Sequence, residues 1–579
     1  MMSLGIDQPA ISEPEPGSRR AVANLLAPMA ALILVLVVFA VWFVTTEQTL
    51  YHADQVTYWS YSRHLALLMR EHPTAAVRAV VNTVANNDVN LLPAVPISLV
   101  MVVFGGSRLV YVIAVIVIYG FATAAALVFA LSRIRPRPPP WVAPLTLALV
   151  ATVWQPVFIG YLGIGGVALA LVVIGLAWSS GSSPPSTRTL VHAGILLAML
   201  ALFRRWWGIW SLAFGVVMVA DSLWRFLVSP HRDRGSIWQA IRCPTIVLIS
   251  SGVTVVVLAA PVIVSRLQTD YADRYSAYRL SGVSERLVSI VDRFGLVGLA
   301  VLAVCTSVLF ATPKLRRIAA LLVAHLACTF FIMISIQDHS PQHWYLYSPQ
   351  VLLITGAALV QIASDANRAR RRTILLGLAA AGLATVFAVF APSGGDSRGR
   401  LAPLLPADVI RPQVRHDLEE LKRLLSSLDT ISSGREGGVY VLSSSQKLSD
   451  HVLAFSNLSL GTSFRSPNEV LGAAHVDRRD GFPRGLLVAD VVLVADPVQY
   501  HLRAEDQRTI GEPATSFLDG TDIALAYSRL PERFELDGGV TVTVYQRQRA
   551  NTREEVTALS ERLRRAYPDQ PEIYSPKNE

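Results

Sequence analysis

Eleven apolar runs, near residues 24–46, 108–131, 141–158, 162–178, 189–203, 207–227, 245–265, 294–311, 316–336, 344–364 and 373–391, leave this chain few ways to fold. A backbone inside hydrocarbon has no water to bond to, so such segments become helices that satisfy their own N–H and C=O groups. The expected architecture is a polytopic α-helical membrane bundle of about 11 spans. Composition agrees: 52% of the 579 residues are hydrophobic and 16% charged, against about 25% charged in a soluble domain. The mean hydropathy is +0.43. A twelfth stretch, LLPAVPISLVMVVFGG from Leu91 to Gly106, falls short of the roughly 17 to 25 residues of a span and carries Pro93 and Pro96. It is expected to lie in the interface or to re-enter it.

Charge sets the orientation, because basic residues of short loops collect on the cytoplasmic side. With the N-terminus inside and eleven spans, the inside loops are RIRPRPPP, SSGSSPPSTRT, WRFLVSPHRDRGSIWQAIR, PKLRR and SDANRARRR, all basic. Counting Leu91 to Gly106 as a span would move RIRPRP, PKLRR and NRARRR outside. The net charge of +9 comes from arginine, since lysine occurs only at Lys314, Lys422, Lys447 and Lys577. It is an orientation signal and gives no reason to invoke nucleic acid. Residues 1–23 read as a cytoplasmic tail, rich in proline and acid and unlike a cleaved signal peptide, so the first run is a retained anchor. The implied location is a bacterial inner membrane.

Residues 24–391 then form the membrane part, with a long first outer loop at 47–107. Beyond Pro392 the composition shifts: SGGDSRGR reads as a linker, followed by amphipathic helices (DLEELKRLLSSLD, EEVTALSERLRRAY) alternating with strand-like runs (GVYVLSSS, ADVVLVAD, GVTVTVYQ). Residues 392–579 are expected to be an extracytoplasmic α/β domain. The cysteines Cys243, Cys305 and Cys328 lie at or inside apolar segments and offer neither a disulfide framework nor a CxxC metal site. The glycines of GYLGIGG, Gly160 to Gly166, sit between apolar runs and suit close helix packing better than a nucleotide loop.

The first outer loop begins TTEQTLYHADQVTYWSYSRHLALLMREHP, which places Asp54 eight residues beyond the first run. A carboxylate at the mouth of a bundle, beside Tyr58, Trp59 and Tyr61, can serve as a general base. Asp is also a good N-cap, and a helix from Gln55 to about Arg70 would use it so. Asp88, in ANNDVN, is a second acid in the same loop, where an Asn-rich run more often makes a turn.

An acid just after the first span, a long outer loop, the segment NLLPAVPISLVMVVFGGSR and a late loop running into HWYLYSP together resemble the GT-C superfamily. These are integral-membrane glycosyltransferases of the protein O-mannosyltransferase and aminoarabinose transferase type. The resemblance implies transfer of a sugar, with inversion, from a polyprenyl-phosphate-type donor in the membrane lipid to an extracytoplasmic acceptor. The family's base falls on Asp54. Many members have Asp-Glu there, whereas Gln55 follows in this chain, which weighs against metal assistance while leaving a divalent cation open. The leaving phosphate calls for cations outside the membrane, and Arg204 and Arg205 in ALFRRWWGIW fit that need. Snorkelling among Trp206, Trp207 and Trp210 is the alternative. In DYADRYSAYRL, Arg274 and Tyr275 suit either a phosphosugar or an interfacial helix. A metal helix through Asp338, His339 and His343 is opposed by Pro341, and the resemblance assigns His339 or His343 to the donor phosphate instead. A transporter or flippase would show internal symmetry and mid-span charges, which the chain lacks. A non-catalytic scaffold would need no acid beside the membrane.

Overall fold

The computed structural model describes residues 16–134, 138–178, 185–228, 234–280, 282–365, 367–390, 403–460 and 469–576. Most of the N-terminal tail and the linker SGGDSRGR lie outside them. Among the described residues seven helices are long and apolar enough to cross a membrane: Ala27–Thr46, Arg108–Ile134, Trp207–Val228, Ile241–Gln268, Val283–Ala311, Arg316–Ile336 and Arg368–Phe390. Leu92–Phe104, Ile164–Ala177, Thr187–Phe203 and Ser348–Ala363 are shorter apolar helices. The run at 141–158 is not one helix. Val142–Leu149 ends at Val150, and Ala151–Val153 and Gln155–Phe158 form two short turns. The carbonyl of Thr152 and the side chain of Gln155 accept instead from Arg293, at 2.9 and 2.7 Å, and Pro156 sits in the first turn of its own short helix, where its missing N–H costs little.

Small residues let the helices close on one another. An added Cβ at Gly165 would sit 2.7 Å from both Phe203 and Tyr119, so the GYLGIGG segment packs against neighbouring aromatic side chains as expected. Gly295 breaks the helix Val283–Ala311 at φ 67°, ψ 156°. The N–H groups of Leu296 and Val297 turn instead to Pro403 O (2.9 Å) and Leu404 O (3.0 Å), where the chain passes on towards its C-terminal part. A Cβ at Gly295 would lie 2.7 Å from Leu404 O, so both the backbone angle and the close crossing require glycine.

The C-terminal part carries a four-stranded sheet, β1 (Val439–Leu442), β2 (Val491–Asp496), β3 (Tyr527–Leu536) and β4 (Val540–Arg547), in the order β1-β2-β4-β3. β1 and β2 are parallel, and the other pairs are antiparallel. Strand alternation divides its core. Val439 and Val441 face the helix Leu418–Ser432 through Leu421, Leu424 and Leu428, while Tyr440 and Leu442 join Phe517, Leu559 and Leu563 on the other face. β3 was not foreseen: as a charged edge strand, YSRLPERFEL has no clear apolar alternation.

This part docks against one end of the bundle. Arg415 N donates to Gln48 O (2.8 Å), Tyr51 N to Ser459 Oγ (3.2 Å), and Arg478 pairs with Asp273 (2.7 Å). The loop after the first helix and the segment 269–280 are thereby gathered at that end, and Asp338 N, donating to Tyr278 O at 3.2 Å, brings the turn 337–347 beside them.

Candidate active site

Asp54 opens the helix Asp54–Glu71 but does not cap it. The cap position is Ala53, whose φ of 46° is rare for a residue with a side chain, and no side-chain cap bond forms. Such a backbone costs on the order of 1–3 kcal/mol. The first-turn bonds from Gln55 N to His52 O (3.1 Å) and from Thr57 N to Ala53 O (3.1 Å) hold it in place. The carboxylate is thus free to point elsewhere. Its Oδ2 accepts from Arg204 Nη2 at 2.6 Å and from Gln342 Nε2 at 3.5 Å. Oδ1 has no hydrogen-bond partner among the described residues.

Arg204 is where the helix Thr187–Phe203 stops, and its extended backbone (φ −155°, ψ 143°) lets two consecutive arginines point to different acids. Arg204 is buried, with its guanidinium 4.8 Å from the centre of the Tyr58 ring. Arg205 instead reaches Asp88, Nη1 to Oδ2 at 3.1 Å. Asp88 also accepts from Arg266 Nε at 2.8 Å and Tyr271 OH at 3.4 Å. Arg205 lies between aromatic faces, 4.8 Å from Trp206 and 5.1 Å from Tyr275.

His343 adjoins both groups. Its ring packs edge-on to Trp206 at 4.7 Å, and its Nδ1 is taken by Ser340 N (3.1 Å) and Gln337 Nε2 (3.2 Å) within its own turn. Burial, and then the neighbouring His339, Arg204 and Arg205, push its pKa well below the usual imidazole value, so it is neutral near pH 7. The turn Pro341–Leu346 separates two environments. Gln342 faces Asp54, while Trp344 lines an apolar cavity of about 390 Å³ walled by Leu302, Leu326, Phe330 and Val351. His339 belongs to the second environment, stacked on Trp344 at 4.4 Å and bonded to Tyr347 OH.

The structure therefore gathers Asp54, Asp88, Arg204, Arg205, Tyr275 and His343. It leaves Arg274 exposed and turns His339 away, onto Phe330, Trp344 and Tyr347, which line the apolar cavity. It adds Arg266 and Gln342, which sequence reasoning missed. Arg266 carried one signal, a cation at the loop end that the charge rule assigns outside. Gln342 carried none. Among the described residues no group of three or more His, Cys, Asp or Glu side chains is placed to hold a metal ion.

No family model matches the chain, and no curated protein matches it. Two solved structures of ArnT from Cupriavidus metallidurans do, one bound to undecaprenyl phosphate and one in the apo state. The first has a TM-score of 0.50 at 14% identity, covering 90% of this chain and 97% of that one. The second has a TM-score of 0.52 at 13% identity, covering 90% and 98%. At such identity the likeness is one of fold. This chain, with helices long and apolar enough to cross a membrane, shares the fold of these two ArnT structures.

Proposed function

We propose that the protein is an inverting glycosyltransferase that moves a sugar from a polyprenyl-phosphate-type donor to an acceptor outside a bacterial inner membrane. The observation that carries this reading is the split state of the Asp54 carboxylate, with Oδ2 fixed by Arg204 and Oδ1 open. In a single displacement, the acceptor O–H gives its proton to Asp54 Oδ1 as its oxygen bonds to the anomeric carbon. The bond from that carbon to the phosphate oxygen breaks on the opposite face, and its electron pair leaves with the phosphate. A positioned base contributes about 10² to 10⁴ in rate, so charge stabilisation of the departing phosphate supplies much of the rest. Arg205 suits that task, since its guanidinium is held at the site by an acid that another anion can replace. Arg204 is better read as the group that aims the base. The ArnT structure bound to undecaprenyl phosphate supports a lipid-linked donor, and the apolar cavity beyond the Pro341–Leu346 turn is fit to take part of an isoprenoid tail.

The same reading has eleven crossings, residues 24–391 as the membrane part and residues 392–579 outside the cytoplasm. Alkaline phosphatase fused after residue 391 should be active, and an active cytoplasmic reporter at that site would overturn the orientation. The activity itself is tested by incubating the purified protein with an extract of polyprenyl-linked radiolabelled sugars and candidate envelope acceptors. Label should leave the lipid only when Asp54 is intact. Failure of the wild type to bind or turn over any lipid-linked sugar would defeat the reading.

A further inference from the structure

Asp88 is held as a ligand is held. Arg205 and Arg266 donate to its two oxygens at 3.1 and 2.8 Å, Tyr271 adds its hydroxyl at 3.4 Å, and Arg266 Nη2 reaches Asp88 O at 3.3 Å. Arg205 and Arg266 are themselves largely buried, at 24% and 14% side-chain exposure. Burial pushes the Asp88 carboxyl up, but the bond from Arg266 and the charge of Arg205 outweigh it and hold it below the usual carboxylate range. The acid is therefore an anion at neutral pH. Two cations and a hydroxyl converging on one small anion form the donor set that binds a phosphate.

The segment carrying Asp88 is irregular. It links the end of the helix Pro73–Asn86 to the turn Leu92–Ala94, and Asn90 anchors its far end through Leu202 O at 2.8 Å. Asp88 thus belongs to neither regular element. We infer that Asp88 is an internal stand-in for the donor's phosphate, occupying the seat between Arg205, Arg266 and Tyr271 until a lipid phosphate displaces it and returning to expel the product. This rests on the reading of the site as a lipid-phosphate-dependent transferase. The chemistry favours such a device, because a sugar phosphodiester carries one negative charge, whereas the polyprenyl phosphate left behind carries about −1.5 to −2 at pH 7. Arginines that suit the donor would hold the product more tightly, and a tethered carboxylate offsets that.

The test is binding by the full-length protein in nanodiscs, titrated with farnesyl phosphate, farnesol and inorganic phosphate, for the wild type, Asp88→Asn, Asp88→Ser, Arg205→Ala and Arg266→Ala. Removing the competing charge should tighten farnesyl phosphate about tenfold in both Asp88 variants, and each arginine variant should weaken it. Farnesol should bind alike throughout. Inorganic phosphate tightening in parallel would place the gain in the phosphate seat, and tightening of farnesol as well would place it in the tail and overturn the inference. Equal or weaker farnesyl phosphate binding by folded Asp88 variants, or failure of both to fold, would assign Asp88 to holding the loops together and overturn it too. Loss of all farnesyl phosphate binding by the wild type would instead sink the donor reading, and the inference with it.

Discussion

Arg204 and Arg205 are adjacent in the chain and each grips an aspartate, yet the two aspartates are left in different states. Asp54 has one oxygen bonded to Arg204 and Gln342 and the other without a partner among the described residues. Asp88 has both oxygens committed, to Arg205 and Arg266, and a tyrosine hydroxyl besides. A base needs an oxygen that other donors leave to the proton it takes, and of these two acids Asp54 has such an oxygen in Oδ1. A group that holds cations ready for another anion needs the opposite, and Asp88 supplies that. The comparison shows how little the residue types decide: two Asp–Arg pairs in one site differ in surroundings because of how many donors converge on each.

That contrast can be broken by substitution, beginning with the base. Asp54→Asn keeps the size and one acceptor oxygen but cannot take a proton, so transfer should fall by about 10² or more while expression and donor binding persist. Wild-type transfer by this variant would erase the distinction between the two acids. Arg204 and Arg205 should then separate kinetically. Arg204→Ala removes the group that aims Asp54 and should lower kcat by about tenfold or more with a small change in donor KM. Arg205→Ala should raise donor KM by about tenfold, the loss of one charge-assisted hydrogen bond, with a smaller change in kcat. Equal effects of both variants on KM would show that the two arginines serve one phosphate, as their place outside the membrane in ALFRRWWGIW suggests.

The smallest expected effect is on stability. His343 adjoins both clusters and is held neutral, its folded pKa well below the 6.5 of a free imidazole. Below pH 6.5 the unfolded chain therefore binds a proton that the folded chain refuses, so stability falls as pH drops from 6.5. The unfolding temperature should be lower at pH 5 than at pH 7, and His343→Gln should flatten that decline. An unchanged pH slope in His343→Gln would mean that the decline belongs to other groups.

Much of the bundle was legible because hydrophobic length is a local property. The apolar runs at 24–46, 108–131 and 207–227 reappear as helices within a few residues of their ends. Asp54, Arg204 and Arg205 could be singled out for a related reason, since charged residues next to apolar spans are costly and so stand out. The break at 141–158 and the kink at Gly295 were missed because each answers to a partner elsewhere in the chain. Gln155 receives Arg293 Nη1 at 2.7 Å, and the segment from Pro403 to Leu405 crosses at Gly295. Arg266 and Gln342 escaped notice for the same reason.

The sequence by itself determined that this chain is a bundle of apolar helices carrying an acid and two arginines at span ends, because burying a backbone in hydrocarbon admits few solutions and each is written in consecutive residues. Which arginine meets which acid was decided only by the tertiary structure. Arg204 and Asp54 are 150 residues apart, and Arg266 and Asp88 are 178 apart. No periodicity links positions so distant. Their pairing follows from how the helices end and how the loops after them are gathered against the C-terminal part, and that arrangement leaves Asp54 Oδ1 without a partner among the described residues while both side-chain oxygens of Asp88 accept hydrogen bonds.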